Sequence, residues 1–214
     1  MSHKPDHGHG HGHGHHEHRD SLGNPPDHEH YLERLESPER AEWQRPDAVV
    51  DALELKPGER ICDLGAGPGY FSLRLARAVG TTGKVFAIEA DPRMRDVLVQ
   101  RLEEAHLANV EPVLAVDGMG LPPEPVDRIL IVNAYHHFTD GIAYLRALSG
   151  HLRPGGTIVN IDFHGGELPI GPPPELRIPR ERFLADAEAA GLRLVDEETF
   201  LPYQYFVSLA PLRR

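Results

Sequence analysis

Short apolar runs alternate with segments of helical periodicity over most of the chain. An apolar run of about four to eight residues is typical of a buried strand, whereas apolar residues that recur every three or four positions indicate a helix. By these criteria the predicted strands are residues 60–64, 84–89, 110–116, 126–133, 157–163, 192–200 and 203–209. The predicted helices are residues 46–53, 70–79, 92–106, 141–152 and 180–190, and Ser37 with Pro38 marks a further helix start.

This alternation predicts a parallel sheet with helices on both faces, because most of the connections between strands contain a helix. The last two strands differ, since only Leu201 and Pro202 separate them. A connection this short joins antiparallel neighbours. The predicted fold class is therefore α/β: a doubly wound, seven-stranded, mostly parallel sheet with an antiparallel last strand and helices on both faces.

The first 30 residues have a different composition. Histidine and glycine alternate from His7 onward, and apolar residues are almost absent. Such a segment cannot bury a core, so we predict a disordered tail over residues 1–30 and a folded domain over residues 31–214. Neutral imidazoles bind zinc, nickel and copper. The predicted metal ligands of the tail are His9, His11, His13, His15, His16 and His18.

The net charge of −11 argues against nucleic acid as a partner, because an acidic surface repels phosphate. Apolar stretches long enough for a membrane span are absent from the sequence, and the polar N-terminus does not resemble a secretory signal. A cytoplasmic location is expected. Cys62, the single cysteine, excludes an intramolecular disulfide and is expected to be a small buried core residue.

A glycine-rich loop follows the first strand and precedes a helix. It reads Asp63-Leu-Gly65-Ala66-Gly67-Pro-Gly69. Glycines at the carboxyl end of a parallel strand let the backbone approach a ligand closely. The spacing is neither the dinucleotide pattern, which requires a small residue where this chain has Pro68 or Tyr70, nor a phosphate loop, because no lysine follows. Asp63 at the strand end suits a ligand that carries an ammonium group.

A second acid stands at the end of the next strand. Glu89 follows Gly69 by 20 residues, and Ala90 comes directly after it. An acid at this place commonly accepts hydrogen bonds from ribose hydroxyls. The loop and this acid together indicate a nucleoside ligand with an ammonium group.

These segments resemble the motifs of class I S-adenosylmethionine (SAM)-dependent methyltransferases. The loop at 63–69 is similar to their motif I, Glu89 to their ribose-binding acid, Asp117 and Gly118 to their adenine-binding segment, and 126–138 to motif IV. The resemblance covers about residues 41–210. It implies methyl transfer from SAM to a small-molecule acceptor, with cofactor-binding residues Asp63, Gly65, Ala66, Gly67, Gly69, Glu89, Ala90, Asp117, Gly118 and Asn133.

Asn133 is not followed by the Pro-Pro-Tyr of many N-methyltransferases, which argues against an amino group of DNA or glutamine as the acceptor. Just beyond it, His136 or His137 is predicted to contact the substrate and to act as a general base, since histidine titrates near neutral pH. Tyr135 is a candidate for a cation–π contact with the sulfonium. Asp162 and His164, in and near a long Gly/Pro-rich loop, are further candidates.

Two other functions stay open. The histidine tail could make the chain a metal-binding or metal-storage protein on a non-catalytic methyltransferase-like fold. The chain could also be a nicotinamide-dependent reductase, although the glycine spacing and the terminal strand pair argue against this function. The acceptor atom and the oligomeric state are not determined by the sequence.

Overall fold

A computed structural model of the chain describes residues 28–115 and 120–212. Its centre is a seven-stranded sheet with the order β3-β2-β1-β4-β5-β7-β6. All neighbouring pairs up to β5 are parallel, and β7 is antiparallel to both β5 and β6. The predicted fold class is confirmed. The strands are β1 Arg60–Leu64, β2 Lys84–Glu89, β3 Val110–Leu114, β4 Val126–Val132, β5 Leu152–Phe163, β6 Leu192–Glu198 and β7 Gln204–Pro211.

Helices cover both faces of this sheet. They are α1 His28–Glu36, α2 Pro38–Gln44, α3 Pro46–Ala52, α4 Ser72–Val79, α5 Pro92–Glu104, α6 Gly141–Ser149 and α7 Arg180–Ala189, with 3-10 turns at Tyr135–His137 and Pro174–Leu176. Among the described residues, no helix has both the length and the apolar character that a membrane crossing requires.

The central strands are apolar on both sides because each face of the sheet has its own core. In β4, Ile129 and Ile131 pack with Leu145 of α6 and Phe183 of α7. The alternate residue Leu130 belongs to the opposite core with residues of α3 and α4. Successive side chains of a strand point to opposite faces, so the continuous apolar run in β4 follows from burial on both sides.

Two details differ from the predicted elements. Residues 153–156 precede the predicted strand 157–163, but they lie within β5 as an irregularity: Leu152 pairs with Val126 and Thr157 with Arg128. Gly155, at φ +85°, allows the extra residues to bulge out of the ladder. Helix α1 begins at His28, so the last residues of the segment predicted to be disordered are helical.

The antiparallel β7 lies directly beside the functional end of β5. Its register sets Tyr205 opposite Asp162 and Gln204 opposite Phe163. The β1–β4 pair at the centre of the sheet is where the strand order reverses, and ligands of such sheets bind at this reversal, beyond the carboxyl ends of the strands. The fold therefore brings the start of β7 to the same edge as the glycine loop.

Candidate active site

The glycine loop leaves β1 and turns back over β2. Its amides at Gly65 and Ala66 donate to the Ile88 carbonyl, at 2.9 and 3.0 Å. Gly65 has φ +75°, and a Cβ there would lie 2.7 Å from the Ala134 Cβ. Gly67 has φ +55°, but a Cβ at Gly67 would meet nothing within 4 Å. Packing therefore excludes a side chain at Gly65, whereas at Gly67 the backbone borders open space that a ligand can enter.

The Glu89 carboxylate ties this loop to the end of β2. It accepts hydrogen bonds from the amides of Gly67 (2.7 Å), Ala90 (2.8 Å) and Asp91 (2.8 Å). Burial raises the pKa of Glu89, and these three amides act in the opposite direction. The carboxylate is thus held in one orientation beside the loop, although a carboxylate oxygen can accept more than one hydrogen bond.

Asp63 is the most buried acid of the loop, with 3% of its surface exposed. Its Oδ2 accepts a hydrogen bond of 2.6 Å from the Ser72 hydroxyl at the start of α4. Burial raises its pKa to about 6, and the hydrogen bond from Ser72 limits the rise. A carboxylate that accepts hydrogen bonds from the hydroxyl and the backbone of Ser72 is still costly to charge in such buried surroundings. A cationic ligand group beside Asp63 would stabilise the charged form.

The two predicted histidines occupy different environments. His136 Nδ1 lies 3.1 Å from Oδ2 of Asp162, and the side chains are 9% and 0% exposed. His137 is exposed and packs beside His136 with ring centroids 4.0 Å apart. Desolvation by the surrounding protein, and then His136, lower the pKa of His137 to about 4, so His137 is neutral at neutral pH even with its ring at the surface.

The Asp162 carboxylate determines which nitrogen of His136 is available. Its Oδ1 accepts from the Phe163 amide at 2.8 Å, so the other oxygen is directed at the imidazole. An ionised carboxylate only accepts hydrogen bonds, so in the neutral imidazole of His136 the proton is on Nδ1 and the lone pair is on Nε2. This is the arrangement of a general base, and it places together a histidine and an acid that the sequence suggested separately.

Tyr135 and Tyr70 are both occupied by other contacts. Tyr135 is buried, its hydroxyl donates to Asp186 Oδ2 at 3.1 Å, and its ring meets that of Phe183 edge-on at 4.7 Å. Burial raises the pKa of Tyr135. The ring of Tyr70 faces the guanidinium groups of Arg40 and Arg74, at 3.9 and 4.6 Å. These contacts favour a packing role for Tyr135, and its predicted contact with a sulfonium stays a prediction.

A groove of about 540 Å³ opens next to the His136–Asp162 pair. It runs between the segment after β4 and the start of α7, and its lining includes Tyr135, His136, Phe138, Ile142, Ile178 and Asp186. A second cavity, of about 470 Å³, is lined by residues of α3, α4 and α5 together with Gly69 and Tyr70. The first cavity is the one that the His136 imidazole borders.

Arg177 shapes one wall of the groove and was not predicted. Its guanidinium donates to the carbonyls of Pro172 (2.7 Å), Gly166 (2.6 Å) and Ile170 (3.3 Å). It is 6% exposed. Three carbonyl contacts by one buried guanidinium hold the Gly/Pro-rich loop in a closed shape. An arginine beyond a loop carries no local signal of this role, because the contacts depend on how the loop folds back.

Some predicted site residues lie outside the described part of the chain. They are Asp117 and Gly118 of the adenine-binding segment and the histidines of the tail. Within residues 28–115 and 120–212, no group of three or more His, Cys, Asp or Glu side chains is placed to hold a metal. Zinc, nickel or copper binding by the tail stays a prediction.

The fold and this site define a class of protein, which comparison with solved structures confirms. A SAM-dependent methyltransferase from Aquifex aeolicus is 27% identical, superposes with a TM-score of 0.78, and is matched over 84% of this chain and 96% of its own. A TehB-like SAM-dependent methyltransferase from Corynebacterium glutamicum, 18% identical, has the same fold with a TM-score of 0.64 over 86% and 97% of the two chains.

Sequence comparison shows a likeness to methyltransferases over part of the chain. Residues 61–156 match the family described as "Methyltransferase domain". A protein-L-isoaspartate O-methyltransferase from Aeropyrum pernix is 33% identical over 58% of this chain and 44% of its own length. A ubiquinone/menaquinone biosynthesis C-methyltransferase from Vibrio vulnificus is 29% identical over 56% and 46%. The chain spans about half, or less, of the length of the curated relatives that it matches. Its fold is the class I, Rossmann-like fold of these methyltransferases, as the sequence motifs predicted.

Proposed function

We propose that this chain transfers a methyl group from SAM to a small-molecule acceptor that loses a proton. One observation carries the proposal: the glycine loop with its two acids and the His136–Asp162 pair stand at the same edge of the sheet. The match of residues 61–156 to a methyltransferase domain supports the cofactor. The groove of about 540 Å³ next to His136 supports an acceptor of small size.

The residues of the loop suit the parts of SAM. The carboxylate of Glu89 would accept hydrogen bonds from the ribose hydroxyls, and the buried Asp63 would pair with the ammonium group. Gly67 would let the backbone come close to the ligand, because it has no side chain and its backbone borders open space. When bound, SAM supplies an electrophilic methyl group on its sulfonium.

His136 would remove the proton from the acceptor. Its Nε2 lone pair would take this proton as the acceptor atom gains the methyl group. The methyl–sulfur bond would break at the same time, and its electron pair would leave with S-adenosylhomocysteine. Asp162 then stabilises the imidazolium through Nδ1 and keeps the ring aimed at the groove. The acceptor would therefore be a hydroxyl, a phenol or an activated carbon, all of which lose a proton on methylation.

The first experiment measures the binding of S-adenosylhomocysteine to the full chain by calorimetry in EDTA. The expected result is binding near micromolar affinity that does not depend on metal, with NADH as a ligand that does not bind. Glu89→Gln should weaken binding about 100-fold, since it removes charge-assisted hydrogen bonds. Glu104→Gln, on the exposed end of α5, is the matched control and should bind as the unaltered chain does.

Absence of binding by the unaltered chain would overturn the proposal. Binding only when zinc, nickel or copper is supplied would favour the metal-binding function of the tail. If the chain binds S-adenosylhomocysteine, a screen of hydroxylated and phenolic acceptors follows, with released S-adenosylhomocysteine as the readout.

A further inference from the structure

A line of four polar side chains crosses the molecule from α2 to the active site. Arg40 Nε donates to Oε1 of Gln44 at 2.5 Å, and Gln44 Nε2 donates to Oε1 of Gln204 at 3.3 Å. Gln204 Nε2 then donates to Oδ1 of Asn133 at 2.5 Å. The two glutamines are 0% and 1% exposed. Buried amides are costly unless their hydrogen bonds are satisfied, so this line has one stable arrangement.

The guanidinium at one end determines the direction of every bond in the line. Arginine has only donors, so the Gln44 group that faces Arg40 must be its carbonyl oxygen. The Gln44 amino group therefore faces Gln204, and by the same reasoning the Gln204 amino group faces Asn133. The orientation of each amide thus follows from the donor and acceptor inventory. Asn133 has to use its carbonyl oxygen toward the protein.

The remaining group of Asn133 is its Nδ2 amino group, which makes no hydrogen bond to the described residues. Asn133 is half-buried at the carboxyl end of β4, and its own backbone amide donates to the Ile161 carbonyl at 2.9 Å. It has φ +53°, a conformation that asparagine tolerates better than most residues. The next residue, Ala134, contacts the glycine loop at Gly65. Asn133 therefore lies between the loop and the His136 segment.

We propose that Asn133 is a one-way hydrogen-bond donor of the active site, oriented by Gln44 and Gln204 as positioning residues. Its ligand is an oxygen that carries a lone pair and no proton: a carboxylate, carbonyl or phenolate oxygen of the cofactor or of the acceptor. An amine acceptor would present N–H groups to this donor, so the arrangement selects against it. The inference rests on the proposed function for the identity of the ligand, but the direction of the donor does not depend on it.

The test follows the side-chain amino groups of a full chain labelled with 15N at asparagine. The chain has four asparagines, Asn24, Asn109, Asn133 and Asn160, and Asn133→Asp identifies the signal of interest by its loss. The expected exchange of the Asn133 amino protons with water is at least about tenfold faster than that of Asn160. Asn160 is an internal reference, because its Nδ2 donates to the buried Tyr205 hydroxyl.

Ligands then distinguish the source of the oxygen. A shift of the Asn133 signal with S-adenosylhomocysteine but not with 5′-methylthioadenosine, which lacks the amino-acid part, assigns the oxygen to the cofactor carboxylate. Fast exchange of the Asn133 amino protons, with no shift of their signal when either nucleoside binds, assigns the oxygen to the acceptor. Slow exchange, as slow as that of Asn160, means that the amino group faces Gln204 and overturns the inference. If neither nucleoside binds at all, the proposed function fails while the exchange result still stands.

A second variant should reverse the direction of the hydrogen bond between position 204 and Asn133. In Gln204→Glu the carboxylate cannot donate, so Asn133 should turn its amino group inward, and its exchange should slow about tenfold. Lowering the pH should restore fast exchange, since a protonated carboxyl can again donate to Asn133. A residue that merely packs would show no such pH dependence. Gln100→Glu, which adds the same charge on the exposed surface of α5, is the control and should leave the Asn133 signal unchanged.

Discussion

The two sides of the active site are built in different ways. The cofactor side is local: Asp63, the glycine loop and Glu89 lie within 27 residues, and the contacts of Glu89 are to backbone amides 1 to 22 residues away. The acceptor side joins distant side chains. His136 and Asp162 are 26 residues apart, Asn133 and Gln204 are 71 apart, and Gln44 and Gln204 are 160 apart.

This difference has a physical consequence. On the cofactor side a short stretch of backbone determines the geometry. A substitution of a side chain there is therefore expected to weaken cofactor binding. On the acceptor side each polar group depends on a partner from another element, and the order of the strands brings the partners together. We therefore expect changes on the cofactor side to alter cofactor affinity, and changes to the His136–Asp162 pair to alter turnover while cofactor affinity is retained.

The largest effect is expected for His136→Ala. Loss of a general base lowers turnover by about 10²- to 10⁴-fold, and the affinity for S-adenosylhomocysteine should not change. Rates are measured with an acceptor from the screen, and affinity by calorimetry. His137→Ala is the matched control, since the two rings are adjacent but only His136 contacts Asp162. Equal losses in both variants would contradict the assignment of the base.

Asp63→Asn should separate stability from binding. The folded pKa of about 6 lies above the ordinary value of 3.8, so between these values the unfolded chain loses its proton first. The stability of the ligand-free chain should therefore fall as pH rises from about 4 to about 6. The variant should be more stable at pH 8 by up to about 3 kcal/mol, yet bind S-adenosylhomocysteine more weakly.

Urea unfolding at several pH values measures this effect. Asp51→Asn, at an exposed position of α3, is the control for loss of one acidic charge. Because the pKa of Glu89 is also raised, some fall should remain in the Asp63→Asn variant. A fall between pH 4 and 6 as large as that of the unaltered chain would show that another group is responsible.

Alanine substitutions at two glycines test whether the open space beside the glycine loop holds the ligand. Gly67 and Gly155 both have positive φ, at +55° and +85°, and a Cβ at either would meet nothing within 4 Å. Alanine at each should cost about 1–2 kcal/mol of stability through backbone strain alone. Only Gly67→Ala should also weaken S-adenosylhomocysteine binding, by about tenfold, because its methyl group enters the space of the ligand. Equal affinities of the two variants would place the ligand elsewhere.

The smallest effect is expected for Tyr135→Phe. It removes the hydrogen bond to Asp186 and should cost about 1 kcal/mol of stability, with turnover nearly unchanged because the ring packs against Phe183. Thermal unfolding and the rate assay measure the two quantities. A large loss of turnover at unchanged stability would instead support the contact with the sulfonium that the sequence suggested.

The sequence by itself determined the sheet and the cofactor loop. Apolar runs such as 126–132 reflect burial on both faces, and the Gly65–Gly69 spacing after a strand reflects backbone that must turn tightly. Both signals are local, so they survive in a single sequence. The sequence also indicated the 136–137 segment, but it could not choose between the two histidines.

The tertiary structure alone distinguishes the two histidines and supports the proposed orientation of Asn133. His136 is distinguished by Asp162, and Asn133 by Gln204, a residue of the last strand that shows no local pattern. Likewise the irregularity at 153–156 became part of β5 because the ladder with β4 continues around it. The physical reason is the same in each case. A hydrogen bond between distant residues depends on strand order and register, and no periodicity along the chain encodes which side chains these will bring together.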